Sequence, residues 1–207
     1  MGKTIFGYNG VIKVTNYKNI NDNIISNKWN ARYAKLSDDT KKKLDIFKEN
    51  ISDDIQLQII KRSREYPKIG DIFKINPKDN IFLYGIVVNN HINNINGDEL
   101  IMILIFKEGI DIKGCIKNGV SCDDLFLPPQ IVGKEYWTRG FFYNIEHYND
   151  TICIDNYGFY SVGKRKIYDE FGNELNEEPQ LLGVFGVATI KGIAYKIYTE
   201  LIILGLM

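Results

Sequence analysis

Two nearly unbroken apolar runs, IFLYGIVV at 81–88 and LIMILIF at 100–106, constrain this chain more than anything else in it. A strand covered on one face alternates apolar with polar residues, whereas a strand apolar at almost every position must be covered on both. The polar segment between the runs, NNHINNINGDE, carries an Asn96-Gly97 pair, a strong short-range hairpin signal. The runs therefore read as a central antiparallel pair that needs other elements above and below it.

The flanking sequence supplies further strands. PKIGDIFKINP (67–77) reads as an entry strand with a turn at Gly70-Asp71, and EYWTRGFFYNIEHY (135–148) and DTICIDNYGFYSV (150–162) as two or three strands with aromatic faces. A reverse turn is expected at Gly172-Asn173 and a late strand around Leu181 to Val187. Segment 108–130 alternates glycine with polar residues and ends in Pro128-Pro129, so a long loop with little regular structure is expected there. Together, 67–146 suggest a small, strongly twisted β-barrel or half-barrel.

Helices are expected at both ends. Ser37 offers an N-cap hydroxyl, Asp38 and Asp39 complement the helix dipole, and Leu36, Leu44, Phe47 and Ile51 fall on one face, which predicts a helix over 38–50. Ser52-Asp53-Asp54 repeats the device ahead of Ile55, Ile59 and Ile60, predicting a second helix over 53–65 that Pro67 stops. Ile193, Ile197 and Leu201 stand in i, i+4 order, which fits a buried C-terminal helix begun near Thr189 or Gly192, with a strand as the alternative. Before Ser37, a hairpin is expected around Asn9-Gly10, and Ile20, Ile24, Ile25 and Trp29 allow one or two irregular helical turns. The fold class is thus α+β: a small twisted antiparallel sheet or SH3-like half-barrel with an N-terminal helical pair and a C-terminal helix. Residues 1–66 form a helical extension and 67–207 a β-rich domain, packed together as one unit.

Several chemistries lack their residues. The 26 basic and 26 acidic residues cancel, so no overall field favours a polyanion. Cys115, Cys122 and Cys153 include no close pair, and only His91 and His147 could join them, so no metal site is expected. No phosphate-binding glycine motif is present, and no cofactor is expected. His147 with Cys153 or Ser161 and Asp150 would make a hydrolase, but no nucleophile-elbow motif accompanies them, and a solvated turn histidine is the ordinary reading. The first residues do not resemble a secretory signal, and no run approaches the ~18 apolar residues of a membrane span, so a cytoplasmic protein with reduced thiols is expected.

Surface contacts remain. Asp123 and Asp124 form a compact acidic pair in the expected loop, and Tyr136, Trp137 and Arg139 open an aromatic stretch. Rings facing outward there would anchor a protein partner or stack on bases, while rings alternating inward would fill the core. Asp123, Asp124, Tyr136, Trp137 and Arg139 are accordingly the candidate partner contacts.

At YPKIGDIFKIN, FLYGIVV, ILIFK and DLFLPPQIVGKEYWTRGFFYNIE the chain resembles the bacterial immunity proteins of family twenty-six of the polymorphic toxin systems. The tail IYDEFGNELNEEPQLLGVFGVATIKGIAYKI is similar to C-terminal sequence of such proteins, and the likeness covers about 66–200. The resemblance implies a cytoplasmic antidote that binds one cognate toxin, by default a nuclease, and blocks it without catalysis. A β-barrel nucleic-acid-binding module is the alternative, and an uncharacterised hydrolase a further one.

Overall fold

The computed structural model describes residues 23–50 and 55–207. The hairpin expected at Asn9-Gly10 and the helix junction at Ser52 lie outside them. In chain order the elements are α1 (Ile24–Ala34), α2 (Asp38–Glu49), β1 (Asp71–Lys78), β2 (Ile81–Asn94), β3 (Gly97–Phe106), α3 (Ile112–Asn118), β4 (Leu125–Val132), α4 (Glu135–Thr138), β5 (Phe142–His147), β6 (Tyr157–Ser161), β7 (Lys166–Tyr168), β8 (Glu174–Leu175), β9 (Leu181–Val184) and α5 (Ile190–Ile203).

The central hairpin organises the rest. β2 and β3 pair antiparallel from Tyr84↔Phe106 to Asn94↔Gly97, around the expected turn. They stand inside a five-stranded antiparallel sheet of order β4-β3-β2-β1-β5, which stays open because β4 and β5 do not pair. The α+β antiparallel architecture is thus present, without closure into a barrel. A smaller sheet, β8-β7-β6-β9, holds the parallel pair β6 and β9.

Both faces of the large sheet are covered along β3 and over much of β2, as the apolar runs require, but not at Phe82 and Tyr84. Ile101, Ile103 and Ile105 of β3 point into a core with Phe73, Ile75, Leu83 and Val87, closed by Ile193, Ala194, Ile197 and Leu201 of α5. Their neighbours Leu100, Met102, Leu104 and Phe106 point the other way, against Ile116 of α3 and Phe159 and Leu181 of the small sheet. Period-two alternation therefore feeds two cores from one strand. The C-terminal segment is a helix, and the Thr189 side chain caps it by accepting the Gly192 N–H at 3.0 Å.

The N-terminal region departs in part from expectation. Ser37 caps α2 by accepting from the Thr40 N–H, with Asp38 and Asp39 in the first turn, and Phe47 stacks on Tyr195 of α5 at 5.5 Å. α1 is three turns of regular helix where one or two irregular turns were expected; the Asn23 carboxamide caps it from Ile25 N and Ser26 N. The second helix of the pair, 53–65, is absent from residues 55–65, which form neither helix nor strand. Their backbone donors go to distant acceptors instead, Gln58 N to Asn76 O, Ile60 N to Gly140 O and Ser63 N to Trp137 O. Such a segment satisfies its amides without a helical ladder. Leu57 enters the core and Ile55 packs against it, whereas Ile59 is 56% exposed.

The segment 108–130 is likewise more regular than expected. It contains α3 and most of β4, and Pro128 and Pro129 sit within this edge strand where its register on β3 shifts between Ile103↔Gln130 and Ile105↔Leu127, an irregularity that tolerates missing amide donors. Residues 135–138 form the short helix α4 rather than a strand.

Candidate partner-binding surface

The five candidate contacts do not converge. Tyr136 is 0% and Trp137 1% exposed, so neither ring meets a partner. Helical φ/ψ at 135–138 turns both onto the α5 side of the sheet, where Trp137 packs edge-on against Phe73 and Phe142 and the Tyr136 hydroxyl donates to Ala188 O at 2.7 Å. Arg139 is exposed beside the Phe141 ring, 5.5 Å from its centroid. Asp123 is exposed before the start of β4, whereas Arg139 follows its end; the eight-residue strand between them spans about 25 Å.

Asp124 serves its own turn. Its carboxylate accepts from the Ser121 hydroxyl and the Ser121 N–H, both at 2.7 Å, and these bonds, with Lys107 nearby, hold its pKa below the ordinary carboxylate value. A depressed folded pKa contributes stability above the unfolded value, near 3.8, and the contribution is lost as pH falls through the folded one. Replacing Asp124 with Ala is therefore expected to cost roughly 1 kcal/mol or less at neutral pH. In urea melts the gap from the native chain should narrow as the pH falls below the unfolded value and through the folded one.

His147 meets neither Cys153, Ser161 nor Asp150 in hydrogen bonding. Its Nδ1 lies 2.7 Å from Asp71 Oδ1, while Asp71 Oδ2 accepts from Asn144 Nδ2 at 2.6 Å and Lys68 N at 2.9 Å. Asn144 Oδ1 in turn accepts from Trp137 Nε1 at 2.7 Å. This chain of four side chains ties the end of β5 to the start of β1 and to α4. Among the described residues no Ser, Thr or Cys side chain hydrogen-bonds to His147, and no three His, Cys, Asp or Glu side chains gather as a metal would require.

The surface with the features of a docking site is elsewhere. The small sheet covers only part of its face of the large one, and at the uncovered end Phe82 and Tyr84 of β2 are each 38% exposed. Lys74 of β1 pairs in register with Tyr84 on one side and Tyr143 of β5 on the other, which sets the three side chains in a row across the sheet. Lys74 Nζ lies 3.4 Å from the Phe82 ring centroid, and Lys61 Nζ 5.3 Å from that of Tyr143. β5 is an edge strand, with no strand paired to its outer side among the described residues, and its Ile145 is 48% exposed. Among the described residues, an edge strand beside exposed rings has the features of a docking surface.

Sequence reasoning missed Lys74, Phe82, Tyr84 and Tyr143 as a group. The signal was present in the alternation Phe82-x-Tyr84 and in the one cation inside GDIFKIN. It was hidden because these positions also read as core strand.

The fold and site thus define an α+β protein of two sheets with an open aromatic and cationic face. Comparison with protein-family models, with curated proteins and with solved structures finds no match to this chain.

Proposed function

We propose that the protein is an immunity protein that neutralises a cognate toxin, a nuclease by default, by stoichiometric binding in the cytoplasm. The sequence resemblance suggests the role, and the exposed row Tyr84, Lys74 and Tyr143 beside Phe82 and the β5 edge is the observation that supports a binding mode. Aromatic rings supply large contact area at low entropic cost, and a lysine set among them selects a carboxylate on the partner. An interface of standard size, roughly 1,200–2,000 Å² in total, would cover this face and reach the β5 edge.

The test is co-purification with the toxin encoded beside the gene, followed by rescue of growth on co-expression. Tyr84→Ala combined with Lys74→Ala is expected to weaken toxin binding by about thirtyfold or more, while the melting midpoint moves little because the side chains are partly exposed. Unchanged affinity in this variant would remove the face from the interface.

Lys74 and Lys61 against aromatic rings also favour a second reading, a platform for single-stranded nucleic acid. Anisotropy of a labelled oligonucleotide separates the two. Binding that collapses between roughly 50 and 200 mM salt would favour nucleic acid, and absence of binding at the lower salt would dispose of it.

A further inference from the structure

A cavity of about 440 Å³ lies away from the aromatic face, where α1 crosses over β4, β9 and α5. Its wall is mostly apolar, with Ile25 and Trp29 from α1, Leu127 from β4, and Leu182 and Val184 from β9. One charged group stands apart. Lys196 of α5 lines the cavity, and its Nζ donates to Gln130 Oε1 at 2.7 Å, the one hydrogen-bonding partner it has among the described residues. Gln130 is itself buried and is held by its Nε2, which donates to Pro128 O and Pro129 O.

The other charges lining the cavity are compensated. Arg32 makes a bidentate pair with Glu200, both bonds at 2.6 Å, at the end of the cavity that adjoins a second hollow of about 500 Å³. Lys28 pairs with Glu178 at 2.5 Å and Lys48 with Asp45 at 3.6 Å. Lys196 alone has no carboxylate, and burial pulls its pKa below the ordinary lysine value, a sign that its charge is poorly solvated where it sits. An ammonium with two spare donors and no counter-charge, at the wall of an apolar chamber, matches a ligand that brings both a carboxylate and an apolar chain.

We infer that this cavity binds a small amphipathic monocarboxylate, with its chain against Trp29, Leu127, Leu182 and Val184 and its carboxylate on Lys196 Nζ. The volume falls within the range of small-molecule pockets, about 300–1,000 Å³, and a few polar groups in an apolar lining give such sites their orientation. α1 forms one wall, held by the Lys28–Glu178 and Arg32–Glu200 pairs and by Ile24 and Ile25 packed against Tyr160, Ile167 and Leu182.

Calorimetric titration of the full chain with sodium decanoate below its micellar concentration, and with decanol as the neutral counterpart, tests the assignment. Decanoate is expected to bind saturably at one per chain, and decanol about tenfold more weakly or worse, because the charge-assisted contact is lost. Lys196→Met keeps the length of the side chain without its charge and is expected to bring decanoate down to the affinity of decanol. No saturable binding of decanoate, equal affinity for both compounds in the native chain, or undiminished decanoate binding by folded Lys196→Met would each overturn the inference. Circular dichroism establishes whether the variant is folded; if it is not, the comparison of the two compounds on the native chain decides alone.

Discussion

Truncating Trp137 to alanine should lower stability by about 3–5 kcal/mol, the range for deleting a fully buried large aromatic side chain. At this chain length that corresponds to a fall in melting midpoint of roughly 6–20 °C. Three losses combine. The indole fills the space between Phe73 and Phe142, with ring centroids 5.5 and 5.2 Å away in edge-on geometry, and its removal leaves a cavity under the sheet. Asn144 Oδ1 loses its donor, and with it the chain through Asp71 to His147 loosens. Trp137→Phe retains most of the packing but not the N–H, so it should fall between the native chain and the alanine variant. Thermal melts of the three chains provide the comparison. An unchanged midpoint would instead remove Trp137 from the core.

The second large effect is expected at Gly183, where the two sheets touch. A Cβ at this position would stand 2.3 Å from the Pro129 carbonyl oxygen of β4 and 2.8 Å from Phe159 Cδ1 in the paired strand β6. A ring can turn aside, but a strand carbonyl cannot without disturbing its pairing, so the sheets must separate. Gly183→Val is expected to cost about 3 kcal/mol or more, at or beyond the upper end for overpacking. Gly163→Ala is the control, since a Cβ there meets nothing within 4 Å and the stability should stay within about 0.5 kcal/mol of native. If Gly183→Val melts like the native chain, the small sheet does not lie against β4 as described.

The sequence was most informative where a residue's job is local. Ser37 announced a helix start and Thr189 offered one, because a hydroxyl there caps the amide three residues on. Asn96-Gly97 marked the turn of the central hairpin, and the apolar runs on each side required two covered faces. The sequence failed where a distant partner outweighed a local preference. Ser52-Asp53-Asp54 looked like a helix start, yet the residues from 55 on hydrogen-bond to Asn76, Gly140 and Trp137 and form no helix. Two prolines looked like a loop, yet they stand in an edge strand.

The candidate site was less legible than the fold, for the same reason. Aromatic content in 135–143 was visible, but a single turn of helix at Glu135–Thr138 buries Tyr136 and Trp137 and leaves Arg139 exposed. The exposed rings come from strands that read as wholly buried, because the cover on that face ends short of Phe82 and Tyr84.

From residue order alone came the α+β class, the central hairpin and the capped helix α2, with helix or strand left open at the C-terminal end; the helix cap and the Asn96-Gly97 turn that signalled them act within a few positions along the chain. Which rings are buried, which carboxylate holds His147, and where Lys196 is left without a counter-ion were decided only by the assembled structure. Those outcomes depend on segments far apart in sequence meeting in space, and spacing along one strand or helix carries no record of what will be packed against it.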